Sequence, residues 1–197
     1  MKDFKPSHNH TLVGIDPANE GAIVVLRGTS IPLVFLWKKV TRKKKKVFKV
    51  FASSSESNIA QTCICRTSAH IGQFVASFKE LSNVQGIAVE DCYLARNAKT
   101  TITLARFAGM ISSPLVVKSG FEPLYVKPTE WRSVVLGMKK RTNREQAKKA
   151  SLTYMPRMVH AIKHHLDVLG NYDHITDALG IAVWLSFARS QNKDKPK

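Results

Sequence analysis

The sequence predicts one α/β domain with a mixed sheet and helices on both of its faces. Three observations carry this reading. The chain opens on short runs that are apolar at every position, as strands buried on both sides require. Strand-like and helix-periodic stretches then alternate, and the last third is helical. No internal repeat or long linker interrupts the 197 residues, a length that suits one core.

The elements follow in order. Residues 1–10 and 191–197 are polar and are expected to be flexible ends. Residues 12–15 (LVGI) form a strand that ends in Asp16, and 17–21 (PANEG) is a turn. Residues 22–26 and 31–37 give two more strands. Residues 38–49 hold Lys38, Lys39, Arg42, Lys43, Lys44, Lys45, Lys46 and Lys49, and read as an exposed basic hairpin with a strand resuming at 47–51. A Ser-rich loop leads to 59–82, where Ile64, Ile71, Phe74, Val75, Phe78 and Leu81 stand near helical spacing. Residues 87–89 are a short strand ending in Glu90, 97–111 a helix, 115–117 a strand, and 125–126 extended chain. Thr129 is placed to cap a short helix that Gly137 ends. Residues 142–155 read as a basic helix and 172–189 as the last helix.

Charge narrows the function. Lys and Arg number 31 against 14 Asp and Glu, a formal net charge of +17. A domain this basic attracts polyanions, nucleic acid first among them. No apolar run reaches the ~18 residues of a membrane span, and residues 1–10 carry no apolar signal core. Three cysteines, Cys63, Cys65 and Cys92, make no disulfide framework and fit a reducing, cytoplasmic setting.

In a nucleic-acid binder each carboxylate near the substrate repels phosphate, so Asp16 and Glu90 need a reason. Both directly follow an apolar strand. If those strands are parallel neighbours, both side chains emerge at one sheet edge, where open α/β sheets place their sites. Alone, Asp16 could equally be a turn residue before Pro17, and Glu90 a solvated strand end. The last helix adds Asp173, His174 and Asp177. Asp177 sits among Ile175, Ala178, Leu179 and Ala182, and a buried carboxylate must be paired, hydrogen-bonded or metal-bound. Asp173 reads first as a helix N-cap. Two Mg²⁺ ions roughly 4 Å apart can serve an in-line phosphodiester displacement, and carboxylates from distant segments suit that ion.

At this point the blocks GIDPANEGAIVVL, IAVEDCYLARNAKTTITLARFAGMI, VKPTEWRSVVLG and HITDALGIAVW resemble, in order and spacing, those of the RuvC-type Holliday junction resolvases. The resemblance covers roughly residues 12–27 and 85–189. It implies an RNase H-like fold with a mixed five-stranded sheet. It also implies a homodimer that cuts four-way DNA junctions with paired nicks, and Mg²⁺ as cofactor with Mn²⁺ able to substitute. Carried over, the metal and catalytic set is Asp16, Glu90, His174 and Asp177, with Asp173 able to join or replace His174. Tyr93 falls where the family often has a base-wedging Phe. Arg96, Arg132 and Arg144 fall near family basic residues that could bind phosphate. Lys43, Lys44, Lys45 and Lys46 are read as DNA-backbone contacts. The basic hairpin departs from bacterial members and would fit a divergent phage or viral one.

Other signals are weaker. His8-Asn9-His10 is tail rather than an HNH nuclease motif, Cys63 and Cys65 read as core helix cysteines, and His164 and His165 as surface residues. Two other functions stay open: an RNase H-like nuclease on RNA-containing substrates, and a non-catalytic nucleic-acid-binding module.

Overall fold

Strands that are apolar at every position need cover on both faces, and two helical layers supply it. The computed structural model describes residues 10–56, 61–91, 98–139, 142–170 and 173–193. In chain order these form β1 (Thr11–Asp16), β2 (Gly21–Arg27), β3 (Ser30–Arg42), β4 (Lys45–Ser54), β5 (Gln61–Cys65), α1 (Ser68–Ala76), a 3-10 turn (Lys79–Leu81), β6 (Val84–Glu90), α2 (Ala98–Ser119), β7 (Pro123–Val126), α3 (Pro128–Leu136), α4 (Arg144–Met158), α5 (Ile162–Leu169) and α6 (Asp173–Lys193). The sheet order is β5-β4-β3-β2-β1-β6-β7. β1 pairs in parallel with β6, and β6 with β7. The remaining pairings are antiparallel.

Successive side chains along the strands point to opposite faces and so feed two cores. Val13, Ile15, Ile23, Val25, Phe35 and Trp37 meet Ile71, Val75, Ala108 and Ile111 of α1 and α2. Leu12, Val24, Leu26, Val34 and Leu36 meet Trp131, Met155, Leu166, Leu179 and Ala182 of the later helices. This is the mixed, doubly covered sheet that the sequence predicts.

Several expectations are corrected. The sheet has seven strands rather than five, because β4 and β5 extend it beyond β3. Residues 59–82 are not one helix. Gln61–Cys65 pairs with β4 as an edge strand, and the helix begins at Ser68, after Thr67 accepts a hydrogen bond from the His70 backbone N–H at 3.3 Å. Cys63 and Cys65 therefore lie on a strand, with sulfurs 3.8 Å apart.

Residues 115–117 are helical, not extended. α2 runs on past Pro114 because Ile111 and Leu115 complete its buried stripe. α1 approaches that stripe closely: a Cβ on Gly72 would stand 2.4 Å from the Ile111 carbonyl. α2 is also long and apolar enough to cross a membrane by length and composition, contrary to expectation. In the fold it lies against α1 and β6. Lys127, not Thr129, caps α3, with Pro128 supplying the fixed first φ.

His165 is fully buried rather than a surface residue. Its Nε2 lies 2.7 Å from the Ile31 carbonyl and its Nδ1 2.9 Å from Ser53 Oγ. A carbonyl only accepts, so Nε2 donates and Ser53 donates to Nδ1. Burial lowers the pKa of this ring, and the bonds tie α5 to β3 and β4.

α6 lies on β1 at backbone contact distance. A Cβ added at Gly14 would stand 2.1 Å from the Ala178 carbonyl and 2.6 Å from the Ala182 nitrogen. Gly14→Ala must push the helix off the strand. It is expected to cost about 2–3 kcal/mol and to lower Tm by roughly 4–10 °C in a chain of this size. An unchanged melting curve by circular dichroism would contradict this packing.

Candidate active site

β1 and β6 run side by side with Ile15 opposite Val89. The next residue on each strand is Asp16 or Glu90, so both carboxylates leave the sheet at the C-terminal ends of adjacent parallel strands. The close approach of α6 at Gly14 then carries Asp177 and His174 over the same edge. A cleft of about 470 Å³ is lined by Asp16, Glu90, Arg132, Thr142, Lys148, Asp173, His174 and Asp177. A second hollow of about 270 Å³ shares Asp16 and Glu90 and reaches Leu104 and Pro128.

Three of the four acids that line the cleft have a partner. His174 Nδ1 lies 2.6 Å from Asp16 Oδ2. The Arg132 guanidinium donates to Asp177 Oδ2 at 3.0 Å, and the Ser151 hydroxyl donates to Asp177 Oδ1 at 3.1 Å. Lys148 bonds Asp173. Asp173 is the first residue of α6, and its carboxylate serves Lys148. The indole N–H of buried Trp131 makes no full hydrogen bond, but it sits near enough to Glu90 to favour the ionised carboxylate.

Crowding sets the electrostatics. Burial raises the Glu90 pKa well above the ordinary carboxylate value, and the charges of Asp16 and Asp177 add to it. Burial and Asp16 push Asp177 up to about 6, while Arg132 and Ser151 pull it back. The bond to Asp16 raises the His174 pKa against its own burial. This set suits a hard divalent cation: it is rich in oxygen donors, and its carboxylates repel one another. Among the described residues no three acidic, His or Cys side chains already form a closed metal cage. Arg132 and His174 hold the oxygens that an ion would take.

Of the residues singled out from the sequence, Asp16, Glu90, His174, Asp177 and Arg132 come together. Lys43, Lys44, Lys45 and Lys46 stand apart, at the β3–β4 hairpin. Tyr93 and Arg96 lie outside the described residues, as does the Arg144 side chain, although its backbone opens α4. Sequence reasoning missed Lys148, Ser151 and Trp131. Lys148 and Ser151 stand three apart on α4, a spacing that aims both at one neighbour.

The class defined by this fold and site is an RNase H-like domain with an acidic cleft at the switch between antiparallel and parallel strands. The family model described as crossover junction endodeoxyribonuclease RuvC matches residues 12–184, and the chain belongs to that family. Members of the family are divalent-metal-dependent nucleases that resolve DNA junctions. Two solved structures are similar. One is Thermus thermophilus RuvC in complex with a Holliday junction substrate, at 15% identity and TM-score 0.51, covering 96% of this chain and 100% of that one. The other is a Thermus thermophilus RuvC structure, at 15% identity and TM-score 0.46, covering 92% and 96%. A comparison with curated proteins gives no match.

The raised acids leave a thermodynamic signature. Between the ordinary value of 3.8 and the folded value of about 6, native Asp177 binds more protons than the unfolded chain does. Stability of the metal-free protein therefore falls as pH rises through that window. His174, raised above 6.5, adds stability below 6.5 that is lost as pH rises through its folded pKa. Asp177→Asn removes the carboxylate's part. It should raise metal-free stability at pH 7.5 by about 1–2 kcal/mol, net of the weakened Arg132 pair, and flatten the Tm-against-pH curve between 4 and 6.5. A steeper curve would contradict the crowding.

Proposed function

We propose that the chain resolves four-way DNA junctions as a homodimer, each protomer nicking one strand, with Asp16, Glu90, His174 and Asp177 as its metal-binding and catalytic set. The observation that carries this is the meeting of three carboxylates from β1, β6 and α6 in one cleft of a chain of the RuvC family. The similar Thermus thermophilus RuvC is in complex with a Holliday junction substrate, which supports the same substrate here.

Two Mg²⁺ ions, or Mn²⁺ in their place, would lower the pKa of an attacking water and neutralise charge at the leaving oxygen. The chain's residues do the rest. Asp16 and Glu90, fixed by paired strands, hold the oxygen ligands at a constant spacing. Ser151 orients Asp177 by its hydroxyl. His174, bonded to Asp16 at Nδ1, can hold or pass a proton at the cleft edge. Arg132, which holds Asp177, would be free to meet the scissile phosphate if an ion took that carboxylate, and Lys148 lines the same cleft as a second cation. Arg96, Arg144 and Tyr93 are assigned to the strands leaving the branch point, Tyr93 by stacking.

Replacing Glu90 with Gln, or Asp16 with Asn, should lower junction cleavage at least about 10³-fold and leave junction binding within a few-fold. The comparison is a nicking assay beside a gel-shift assay in Ca²⁺. Residual cleavage above a tenth of wild type would remove these residues from the chemistry. Cleavage of an RNA–DNA hybrid with an untouched junction would move the assignment to an RNA-directed nuclease.

Two coordinated nicks need two sites related by a two-fold axis. α2 offers a surface for it. Ile102, Met110 and Val117 are 52%, 46% and 86% exposed, and they fall within roughly 80° of one another around the helix. Ile102→Glu with Met110→Glu should yield a monomer in sedimentation and turn paired nicks into single, uncoupled ones. A dimer that survives both changes would place the interface elsewhere.

A further inference from the structure

The β3–β4 hairpin leaves the sheet on the side of the acidic cleft. Asp16 pairs with Ala22, and Gly21, at the start of β2, pairs with Trp37. Residues 38–42 of β3 therefore run past the last residue of β2, beyond the edge where Asp16 emerges. They are paired only with 45–49 of β4. At about 3.4 Å per residue this arm reaches roughly 17 Å beyond the end of β2, with β5 still flanking β4 at Phe48 and Lys49. Its root lies two strands from β1, about 10 Å away across the sheet.

The arm is built against its own stability. Lys38 stands directly opposite Lys49, and Arg42 opposite Lys45. Like charges in directly opposed positions destabilise a sheet. The two-residue turn places Lys43 at φ 48° and Lys44 at φ 63°. Such hairpin turns favour Asn-Gly, because a β-carbon is strained at positive φ. No acid lies between 38 and 49, and among the described residues none of these cations has an anionic partner. Only Lys39 and Lys49 find cover, over the rings of Phe48 and Phe51 at 5.9 and 4.8 Å. A turn that only had to close would use neutral, flexible residues. Like-charge rungs along the arm and a lysine-bearing, strained turn at its tip point to a polyanionic ligand that neutralises the repulsion.

We infer that this arm binds the phosphate backbone of a duplex arm flanking the branch point, with the Lys38–Lys49 and Arg42–Lys45 rungs and the Lys43–Lys44 tip gripping about five base pairs. The length follows from the reach of the arm and ~3.4 Å per base pair. The contact carries no sequence information, because phosphates are alike on every arm. It rests on the junction-resolvase reading and adds a binding site away from the cleft. It predicts that affinity depends on the length of the duplex arms as well as on the branch.

The test compares the full-length wild type with Lys43→Asn/Lys44→Gly, which supplies the preferred turn residues and removes two charges. Junction binding is measured in Ca²⁺ from 50 to 250 mM salt, on junctions with 6- and 20-base-pair arms. The variant should melt a few degrees higher and bind the long-armed junction about 5–30-fold more weakly at 100 mM salt. Its log-log salt slope should be shallower by about 1–2 units, since each lost phosphate contact removes close to 0.9. The wild type should gain affinity on lengthening the arms, and the variant should gain little. Lys38→Ser/Arg42→Ser, which breaks both like-charge rungs and keeps the tip, should also stabilise the fold and weaken binding. Equal affinity, slope and arm-length dependence in wild type and both variants would overturn the arm's role while leaving the resolvase intact. A wild type that binds no junction at any salt would overturn the resolvase reading itself.

Discussion

Holding several carboxylates within one cleft is an electrostatically uphill act, and the parallel pairing of β1 with β6 makes it possible. The register that sets Ile15 against Val89 also sets Asp16 beside Glu90. Neither strand can slip, because a one-residue shift would turn Val13 and Ile15 out of one core and Leu12 out of the other. The hydrophobic cores thus hold a charge arrangement that would disperse in a flexible chain. Gly14 does the same for the third acid. Only a residue without a β-carbon lets α6 sit on β1, and that contact brings Asp177 to the edge.

The cleft offsets part of its own repulsion. Arg132 and His174 sit on Asp177 and Asp16, so two of the three acids in the metal-free site have a close polar partner. At Glu90 the Arg132 charge and the Trp131 indole favour the ionised form. Burial and its acidic neighbours raise its pKa well above the ordinary carboxylate value. Trp131 is held by α6 in turn, since a Cβ on Gly180 would stand 2.4 Å from its ring. Two consecutive residues of α3 therefore tend two different acids, and α3, α6 and β6 form one mechanical unit around the cleft.

What could be read from the sequence follows from how local each signal is. Asp16 and Glu90 end apolar runs, and Asp177 interrupts an apolar helical stripe, so each is visible within a dozen residues. Lys148 and Ser151 are ordinary polar residues on a basic helix, and their partners lie 25 and 26 positions away. Nothing near them marks them. The 59–82 stretch misleads because Ile64 fits a helical count, whereas GlnThrCysIleCys, in an edge strand, answers to β4 rather than to its own periodicity. The 115–117 stretch misleads in the opposite sense. Leu-Val-Val has strand propensity, yet the seam with Gly72 keeps it helical. His165 looks like one half of a solvated pair and is buried because α5 closes one end of the β3–β4 sheet.

The two ends of the charge problem meet on one sheet edge. The cleft gathers anions and the arm gathers cations, each at a cost to the folded state. In the absence of ligands the cost at the tip is separate, because the Lys43–Lys44 turn, about 17 Å along the arm, is screened from the cleft by more than a Debye length at ordinary salt. A cation bound among the acids and a phosphate backbone laid along the arm would relieve them together. The charged DNA duplex, with its own counter-ions, is a single polyelectrolyte that brings both signs to the same surface. The net charge of +17 then has a location as well as a magnitude: eight of its cations stand between 38 and 49, where no acid dilutes them, and the scarce acids stand where only a cation can accommodate them.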